Sequence, residues 1–330
     1  MRSLSYPLCY SGIKWSKRVQ HSHHVELIWL EDCRALAETL NFSRAAQRRN
    51  VTQPAFSRRI QALEQWTGTP LFERNRREVK LTKAGEVFNQ QAIKLLRMIG
   101  TMHQTTLEAA GVSSPMLIFA ATHCLSSTFF PGWIRKSQVE HVYETLKLVS
   151  DTLSACERMF LHGDAQFLLC HCHQNTLDHL TPGQFTSLKV GQDELIPLCV
   201  STGDGVTPKW QLARQTKDVP LLCYSNDSGL GRIINHCPKV ADAVREMKKV
   251  FTSDLATSLL AMVRAGDGVA WLPRSLAESD LMNGTLVNAG SEARDFSVPI
   301  EIRLFRPATP LPAAAEKLWH SLKRYRLKPG

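Results

Sequence analysis

Residues 42–61 decide the fold of the N-terminal third, and they read FSRAAQRRNVTQPAFSRRIQ. The stretch predicts two helices joined by a tight turn at Asn50, because asparagine tolerates the left-handed backbone that such a turn needs. We expect Ser43 to cap the first helix and Thr52 to cap the second. Pro54 suits the first turn of the second helix, where its missing N–H costs little. The pattern therefore indicates a helix-turn-helix.

The second of these helices has one apolar face. Phe56, Ile60 and Leu63 recur at the spacing i, i+4, i+7, which predicts that this face packs inward. The residues left for the other faces are Gln53, Ser57, Arg58 and Arg59. Glutamine and arginine can pair with the edges of adenine and guanine in the major groove. The sequence thus predicts a DNA-recognition helix, with an ordinary helical hairpin carrying a charged outer face as the alternative.

A basic hairpin is predicted directly after the recognition helix. Residues 72–81 read FERNRREVKL, which indicates two short strands around a polar turn. The hairpin presents four cations, namely Arg74, Arg76, Arg77 and Lys80. A basic wing in this position can grip the flanking phosphate backbone or the minor groove.

Residues 83–110 contain no proline and predict one continuous helix of about 42 Å that Thr82 caps. Its apolar residues step by 4, 3, 4 and 3, as in a coiled-coil seam. The seam consists of Phe88, Ala92, Leu95, Ile99 and Met102. Such a seam needs a partner, and a second copy of the chain is the simplest one. Packing against the chain's own domain is the alternative.

The positive charge of the chain is concentrated in its N-terminal third. Residues 1–115 hold 17 Lys/Arg and 9 Asp/Glu, a balance of +8, whereas residues 116–330 hold 23 and 21, a balance of +2. This asymmetry is typical of a nucleic-acid binder, and a merely solubilising basic face is the alternative. With 330 residues, 43% of them hydrophobic, the chain predicts two or three domains and excludes a disordered, collagenous or coiled-coil protein.

Residues 1–24 are basic but lack the apolar block of a secretory signal. No stretch of the chain reaches 18 apolar residues, so no membrane span is predicted. Nine scattered cysteines in a chain of this size favour reduced thiols. We therefore expect a disordered basic tail over residues 1–24 and a cytoplasmic protein.

From residue 116 onward, short apolar runs alternate with helical patterns, which predicts α/β units with a largely parallel sheet. The runs cover residues 116–121, 146–149, 167–170, 195–200, 219–224, 268–272 and 300–305. In such domains ligands bind beyond the carboxyl ends of strands, and helix amides there can hold an anion. Three polar loops predict one effector pocket, formed by Thr122, His123, Ser126 and Ser127, by Ser225, Asn226 and Ser228, and by Thr252 and Ser253. Turn and capping chemistry alone is the alternative for each loop.

Residues 170–173 read CHCH, and thiolate and imidazole suit zinc or copper. Neighbouring strand residues point to opposite faces, however, so these four cannot ligate one ion, and we predict no metal and no cofactor. Cys124 beside His123 is a candidate redox-sensing thiol, with a small buried apolar residue as the alternative. A metal- or thiol-dependent enzyme, or a metal or redox sensor, built on residues 116–310 is the rival interpretation. The motifs Gly-x-Ser-x-Gly, Gly-x-x-x-x-Gly-Lys and His-Glu-x-x-His are absent, which weighs against the enzyme.

Four motifs follow one another in the N-terminal part: FSxAA at residues 42–46, VTQPAFSRRI at 51–60, LExxxGxxLFxR at 63–74 and LTxxG at 81–85. In this order and spacing they resemble the LysR-type transcriptional regulators, from residue 27 to about residue 96. Residues 263–273 (VRAGDGVAWLP) are similar to a late regulatory-domain motif of the family. Residues 219–235 and 251–288 resemble the branch that includes the hypochlorite-responsive regulator. That branch has a methionine where this chain has Leu230, so the resemblance does not extend to a methionine-oxidation switch.

The resemblance implies a multidomain α/β protein with a winged helix-turn-helix at residues 25–82 and a dimerisation helix at 83–110. It further implies a periplasmic-binding-protein-like effector domain of two α/β subdomains at 116–310, then a C-terminal helix and tail at 311–330. Such a protein is a homodimer or homotetramer that binds double-stranded promoter DNA, responds to a small molecule or oxidant, and has no catalytic activity. The expected DNA-facing residues are Ser43, Arg44, Thr52, Gln53, Pro54, Ser57, Arg58, Arg59, Arg74, Arg76, Arg77 and Lys80.

Overall fold

A computed structural model describes residues 25–75, 78–111, 116–137, 145–173, 180, 183–212, 217–290 and 296–326. The predicted tail at residues 1–24 and the wing residues Arg76 and Arg77 lie outside these ranges. The chain divides between Gly100 and Thr101 into two compact units. No helix in the described ranges is long and apolar enough to cross a membrane.

The N-terminal unit begins with three helices and a two-stranded hairpin. The helices are α1 (Leu27–Thr39), α2 (Phe42–Arg48) and α3 (Gln53–Thr67), and the antiparallel strands are β1 (Phe72–Asn75) and β2 (Glu78–Leu81). Phe56, Ile60 and Leu63 are fully buried in the core of this unit, as the helical spacing predicts. The long helix α4 (Lys83–Ala109) follows. The predicted winged helix-turn-helix is confirmed.

The second unit is a mixed α/β fold with a seven-stranded sheet and a separate two-stranded sheet. Its first elements are β3 (Met116–Thr122), α5 (His123–Thr128), α6 (Phe130–Lys136), β4 (Thr145–Asp151), α7 (Leu153–His162), β5 (Phe167–Cys172) and β6 (Phe185–Val200). Next come β7 (Pro220–Tyr224), α8 (Gly229–His236), α9 (Pro238–Glu246), β8 (Lys248–Ser253), α10 (Ala256–Arg264) and β9 (Ala270–Pro273). The last are α11 (Glu278–Met282), β10 (Leu286–Asn288), β11 (Val298–Pro307) and α12 (Ala313–Arg326).

The large sheet differs from the expectation of a largely parallel one. Its order is β10-β6-β11-β5-β3-β4, with β9 beside β6, and only the β3–β4 and β3–β5 pairs in it are parallel. Strands β10, β11 and β9 pair with β6 in the antiparallel sense, as does β11 with β5. The apolar-run pattern misses β8, β10 and the first half of β6, because these segments are short or carry many polar residues.

Two strands run through both halves of the second unit. Leu188 of β6 and Leu304 of β11 lie in one apolar core, whereas Leu195 and Val298 of the same strands lie in another. The strands pair along their length, with a shift of register between Ile302 and Arg303. Two cores joined by a shared ribbon of strands define two α/β subdomains, as the resemblance implies.

Candidate DNA-binding surface and effector cleft

The N-terminal end of α3 presents a polar surface to solvent. Gln53, Pro54 and Arg58 are exposed, and Ser57 is half-buried. Thr52 occupies the N-cap position and its side chain makes no capping hydrogen bond, which leaves the hydroxyl available to a ligand. On α2, the side chains of Ser43 and Arg44 are also exposed.

The first helix of the motif is capped by Asn41, and the expectation that Ser43 caps it is wrong. The side-chain oxygen of Asn41 accepts a hydrogen bond of 3.0 Å from the backbone N–H of Arg44. Because α2 begins at Phe42, Ser43 lies one residue inside the helix, past the N-cap position that Asn41 occupies. The turn that follows is as predicted, since Asn50 has a φ of 53°.

Arg59 faces inward, in contrast to its neighbour Arg58. Its Nη1 atom lies 3.4 Å from Oδ2 of Asp32, a fully buried carboxylate on α1. The other oxygen of Asp32 accepts a 2.8 Å hydrogen bond from Nε of Arg49, and Arg49 also pairs with Glu31. Burial of one carboxylate between two guanidinium groups ties α1 to the turn and to α3. Arg59 therefore helps to hold the recognition helix α3 against α1.

A second buried carboxylate holds the start of the wing. Oε1 of Glu64 accepts hydrogen bonds from the backbone N–H groups of Leu71 (2.9 Å) and Phe72 (3.0 Å). Its other oxygen lies 3.2 Å from Nη2 of Arg74, whose guanidinium stacks 4.7 Å above the ring of Phe42. Arg74 is therefore held inside the domain. Gly68 ends α3 with a φ of 69°, so the motif LExxxG is a helix end followed by an anchored strand.

Of the two wing cations in the described ranges, Arg74 and Lys80, it is Lys80 that lies at the surface. Its Nζ atom lies 2.9 Å from Oε2 of Glu78, and both side chains are exposed. Hydrogen bonding to Glu78 raises the pKa of Lys80 above its usual value, so the side chain stays charged. A cation paired only at the surface can exchange its partner for a phosphate at little cost.

The join between the wing and α4 is a close backbone contact. The N–H of Thr82 donates to the carbonyl of Leu71 (3.0 Å). The hydroxyl of Thr82 donates to the carbonyl of Pro70 (2.9 Å) and accepts from the N–H of Gly85 (2.9 Å). A Cβ atom on Gly85 would stand 2.0 Å from the Leu71 oxygen. The motif LTxxG is therefore a helix cap pressed against the strand that enters the wing.

Helix α4 carries an exposed apolar stripe, but its position differs from the predicted seam. Ala92 is buried, and Phe88 packs against the core of its own unit, edge to face with Trp66 at 6.5 Å. The apolar residues that α4 exposes are Val87 (62%), Leu95 (49%), Met98 (60%) and Met102 (62%). Ile99 is half-buried. The N-terminal part of the predicted seam, Phe88 and Ala92, therefore packs against its own domain, which was the alternative to a second copy of the chain.

The second unit contains a narrow cleft at the carboxyl ends of β3, β4 and β5. Its lining residues are Thr122, His123, Cys124, Asp151, Thr152, Leu153, His171, Ser228, Gly229, Leu230, Asp254 and Ala256. The open volume is about 30 Å³, room for one or two water molecules. The residues come from both subdomains. Leu230 of α8 and Ala256 of α10 lie in the core that contains Leu195, whereas Leu153 of α7 packs with strands β3 and β5 of the other subdomain.

Three of the nine predicted effector residues line this cleft: Thr122, His123 and Ser228. Ser126 and Ser127 hydrogen-bond within α5, and Ser126 also contacts Ser150 at 2.8 Å. Ser253 accepts from the N–H of Leu255, and Thr252 contacts the thiol of Cys223. Asn226 borders a different small cavity, beside Tyr224. The Oγ atom of Ser225 is buried and has no hydrogen-bond partner within the described structure.

Sequence reasoning missed Asp151 and His171 in the lining, and from the loop at residues 251–254 it selected Thr252 and Ser253 but not Asp254. Asp151 and His171 lie at the ends of β4 and β5, and both strands were predicted to stop before them. Extending each predicted strand by one or two residues to its true end would have identified Asp151 and His171 as candidates. Leu230, where the resembling branch has methionine, also lines the cleft.

Most cysteines of this unit are buried thiols, whereas Cys223 and Cys237 are half-buried. Burial raises the pKa of Cys124 to about 11, so the group is protonated near neutral pH and is a poor nucleophile. Cys170 and Cys172 lie on one face of β5, with their sulfur atoms 3.9 Å apart. No group of three or more potential metal ligands forms among the described residues.

Comparison with known proteins defines the class. Residues 27–86 match the family described as bacterial regulatory helix-turn-helix protein, lysR family, and residues 110–326 match the LysR substrate binding domain. The chain belongs to the LysR family and is a DNA-binding transcriptional regulator with an effector-binding domain. Both families are regulatory, which confirms the prediction of a regulator.

Individual relatives cover nearly the whole chain. The transcriptional regulator YjiE of Escherichia coli is 29% identical over 91% of this chain and 95% of its own length. The full-length structure of HypT from Salmonella typhimurium, a hypochlorite-specific regulator, is 28% identical, covers 91% of this chain and 98% of that one, and has a TM-score of 0.54. Vibrio fischeri DarR in complex with DNA is also 28% identical, with the same coverage and a TM-score of 0.52.

Proposed function

We propose that this regulator reads its operator with the N-terminal end of α3 in the major groove. The observation that carries the proposal is the exposed group of Gln53, Pro54 and Arg58 beside the uncapped hydroxyl of Thr52. Gln53 and Arg58 supply the base contacts, and Ser57 and Thr52 contact phosphate. The DNA phosphates on one side of the recognition site contact Ser43 and Arg44. Those on the other side contact the wing residues Lys80, Arg76 and Arg77. Arg59 and Arg74 act by positioning α3 and the wing.

Arg58→Ala is expected to weaken binding to the operator by roughly 10- to 100-fold, because it removes one bidentate base contact. Binding to unrelated duplex DNA changes little, since phosphate contacts supply most of that affinity. The measurement is fluorescence anisotropy on a fragment that the full-length protein retains from genomic DNA, with a scrambled duplex alongside.

The matched control is Arg245→Ala, which removes an exposed arginine from α9. We expect operator binding by this variant to equal that of the wild type. Unchanged affinity of Arg58→Ala, or an equal loss on both duplexes, would contradict the role of Arg58 in base recognition.

We further propose that the chain forms a homodimer through α4, and that two dimers pair into a homotetramer. Val87, Leu95 and Met98 fall within an arc of about 80° on the helix, at about 100° per residue. Exposed methionine and leucine side chains at helical spacing are what a second copy of the same helix can cover. The cleft takes a small effector, and the protein acts in the cytoplasm, where its promoter DNA lies.

Met98→Glu is expected to weaken the dimer at least 10-fold, because each copy would bury a carboxylate in an apolar contact. The test is sedimentation velocity over a range of concentrations. Gln90→Glu adds the same charge to an exposed position on another face of α4 and serves as the control. If both variants kept the wild-type assembly, the stripe would not be the dimer contact.

A further inference from the structure

The effector cleft is acidic. Asp151 and Asp254 line it, and no lysine or arginine is among its lining residues in the described structure. Asp254 is exposed and makes no hydrogen bond that the structure records. The opening therefore attracts positive charge and repels anions.

Side chains of the chain itself occupy part of the helix-end amides at the cleft. Helices α5, α7, α8 and α10 begin there, and free amides at such ends would favour an anion. Thr152 accepts from Ala155 in α7 (3.3 Å) and Ser228 from Gly231 in α8 (3.5 Å), whereas α5 and α10 have no side-chain cap. A carboxylate or phosphate ligand at any of these helix ends would stand next to the two negative charges of Asp151 and Asp254.

Two buried polar atoms at the cleft have no partner. The His171 side chain lines the cleft although the residue is only 4% exposed, and its Nε2 atom makes no hydrogen bond within the described structure. Oγ1 of Thr122 is buried and equally without a partner there. Burial lowers the pKa of His171 to about 4, so the ring is neutral near pH 7 and one ring nitrogen can accept a hydrogen bond. Unpartnered buried polar atoms are rare, which points to a ligand.

We propose that the cleft binds the ammonium group of a small primary ammonium compound, with N–H donors directed to Nε2 of His171, to Oγ1 of Thr122 and to the carboxylate of Asp151 or Asp254. An ammonium group has three donors and no acceptor, so it can donate to His171, to Thr122 and to one of the two carboxylates at a time. The inference rests on the proposed function as an effector-controlled regulator, and it names the chemical class of the effector. His171 is the residue that distinguishes this site from a purely electrostatic one.

The test is calorimetric titration of the full-length protein with matched probes. Straight-chain primary amines and amino acids of two to six carbons are compared with the corresponding carboxylates that lack the amino group, and with sodium bromide. We expect binding by at least one ammonium compound and none by its carboxylate counterpart. Binding by carboxylates or bromide alone, or by no ammonium compound, overturns the proposal.

Variants connect any binding to the cleft. Two variants are expected to lower the affinity for the amine at least 10-fold. One combines Asp151→Asn with Asp254→Asn, and the other is His171→Phe. Asp227→Asn removes an exposed carboxylate outside the cleft lining and should change nothing. Unchanged affinity in both cleft variants overturns the proposal. Operator binding is measured on the same preparations: its absence in the wild type would count against the proposed function, whereas anion binding with intact operator binding would overturn the ligand class alone.

Discussion

Gly85→Ala is expected to destabilise the DNA-binding unit by at least about 3 kcal/mol. The added Cβ would stand 2.0 Å from the carbonyl oxygen of Leu71, which is backbone and already accepts from Thr82. Neither the first turn of α4 nor the strand entering the wing can give way without losing that bond, and overpacking of this kind typically costs 1–3 kcal/mol or more. The wing would then shift relative to α3, so operator binding should fall as well.

The measurement is differential scanning calorimetry of the full-length protein, with hydrogen exchange to locate the loss. For a unit of this size, about 3 kcal/mol corresponds to a fall of at least roughly 10 °C in its transition temperature. Gly100→Ala makes the same change on the same helix, where a Cβ would meet nothing within 4 Å. That control should gain up to roughly 1 kcal/mol from helix propensity. Equal behaviour of the two variants would refute the close contact.

Glu64→Ala is expected to cost about 3 kcal/mol, chiefly by leaving the amides of Leu71 and Phe72 without an acceptor. Each unsatisfied buried donor costs about 1–3 kcal/mol, and Arg74 loses its carboxylate at the same time. Hydrogen exchange of the full-length protein should show the protection of residues 71–74 falling first. Glu64→Gln keeps one acceptor oxygen and should lie between wild type and alanine.

The control for this series is Glu73→Ala, because Glu73 lies on the adjacent strand with an exposed side chain. A surface change of this kind is expected to stay within about 0.5 kcal/mol. A Glu64→Ala protein with wild-type stability would show that the wing does not depend on this carboxylate.

The sequence alone predicts the order of elements in the DNA-binding unit because its signals are local. Asn50, Pro54 and the spacing of Phe56 and Ile60 fix the turn and the buried face through backbone preference and helical periodicity. It cannot separate Arg58 from Arg59, since both are arginines in a polar stretch. One residue turns a helix by about 100°, and this rotation places Arg58 in solvent and Arg59 above Asp32.

The predictions for the α4 seam and for the cleft failed in part for the same reason. Both depend on contacts between residues that are far apart in the sequence. The heptad pattern of α4 shows that Phe88 and Ala92 are apolar, but which element covers them depends on the tertiary fold. The cleft joins the ends of strands that lie about 20 to 130 residues apart, so His171 and Asp254 have no shared signal in the sequence. Polar loop composition found Thr122 and Ser228, and gave equal weight to residues that only cap helices.

The register shift in the β6–β11 pair has a mechanical consequence. Ile302 pairs with Gly191 and Arg303 with Lys189, so Val190 is an extra residue on one strand. A bulge of this kind bends a ribbon and increases its twist. Because the ribbon supplies side chains to both apolar cores, any movement of one subdomain against the other must bend these two strands. The extra residue at the bulge is the point along the ribbon where the ladder of hydrogen bonds is already interrupted.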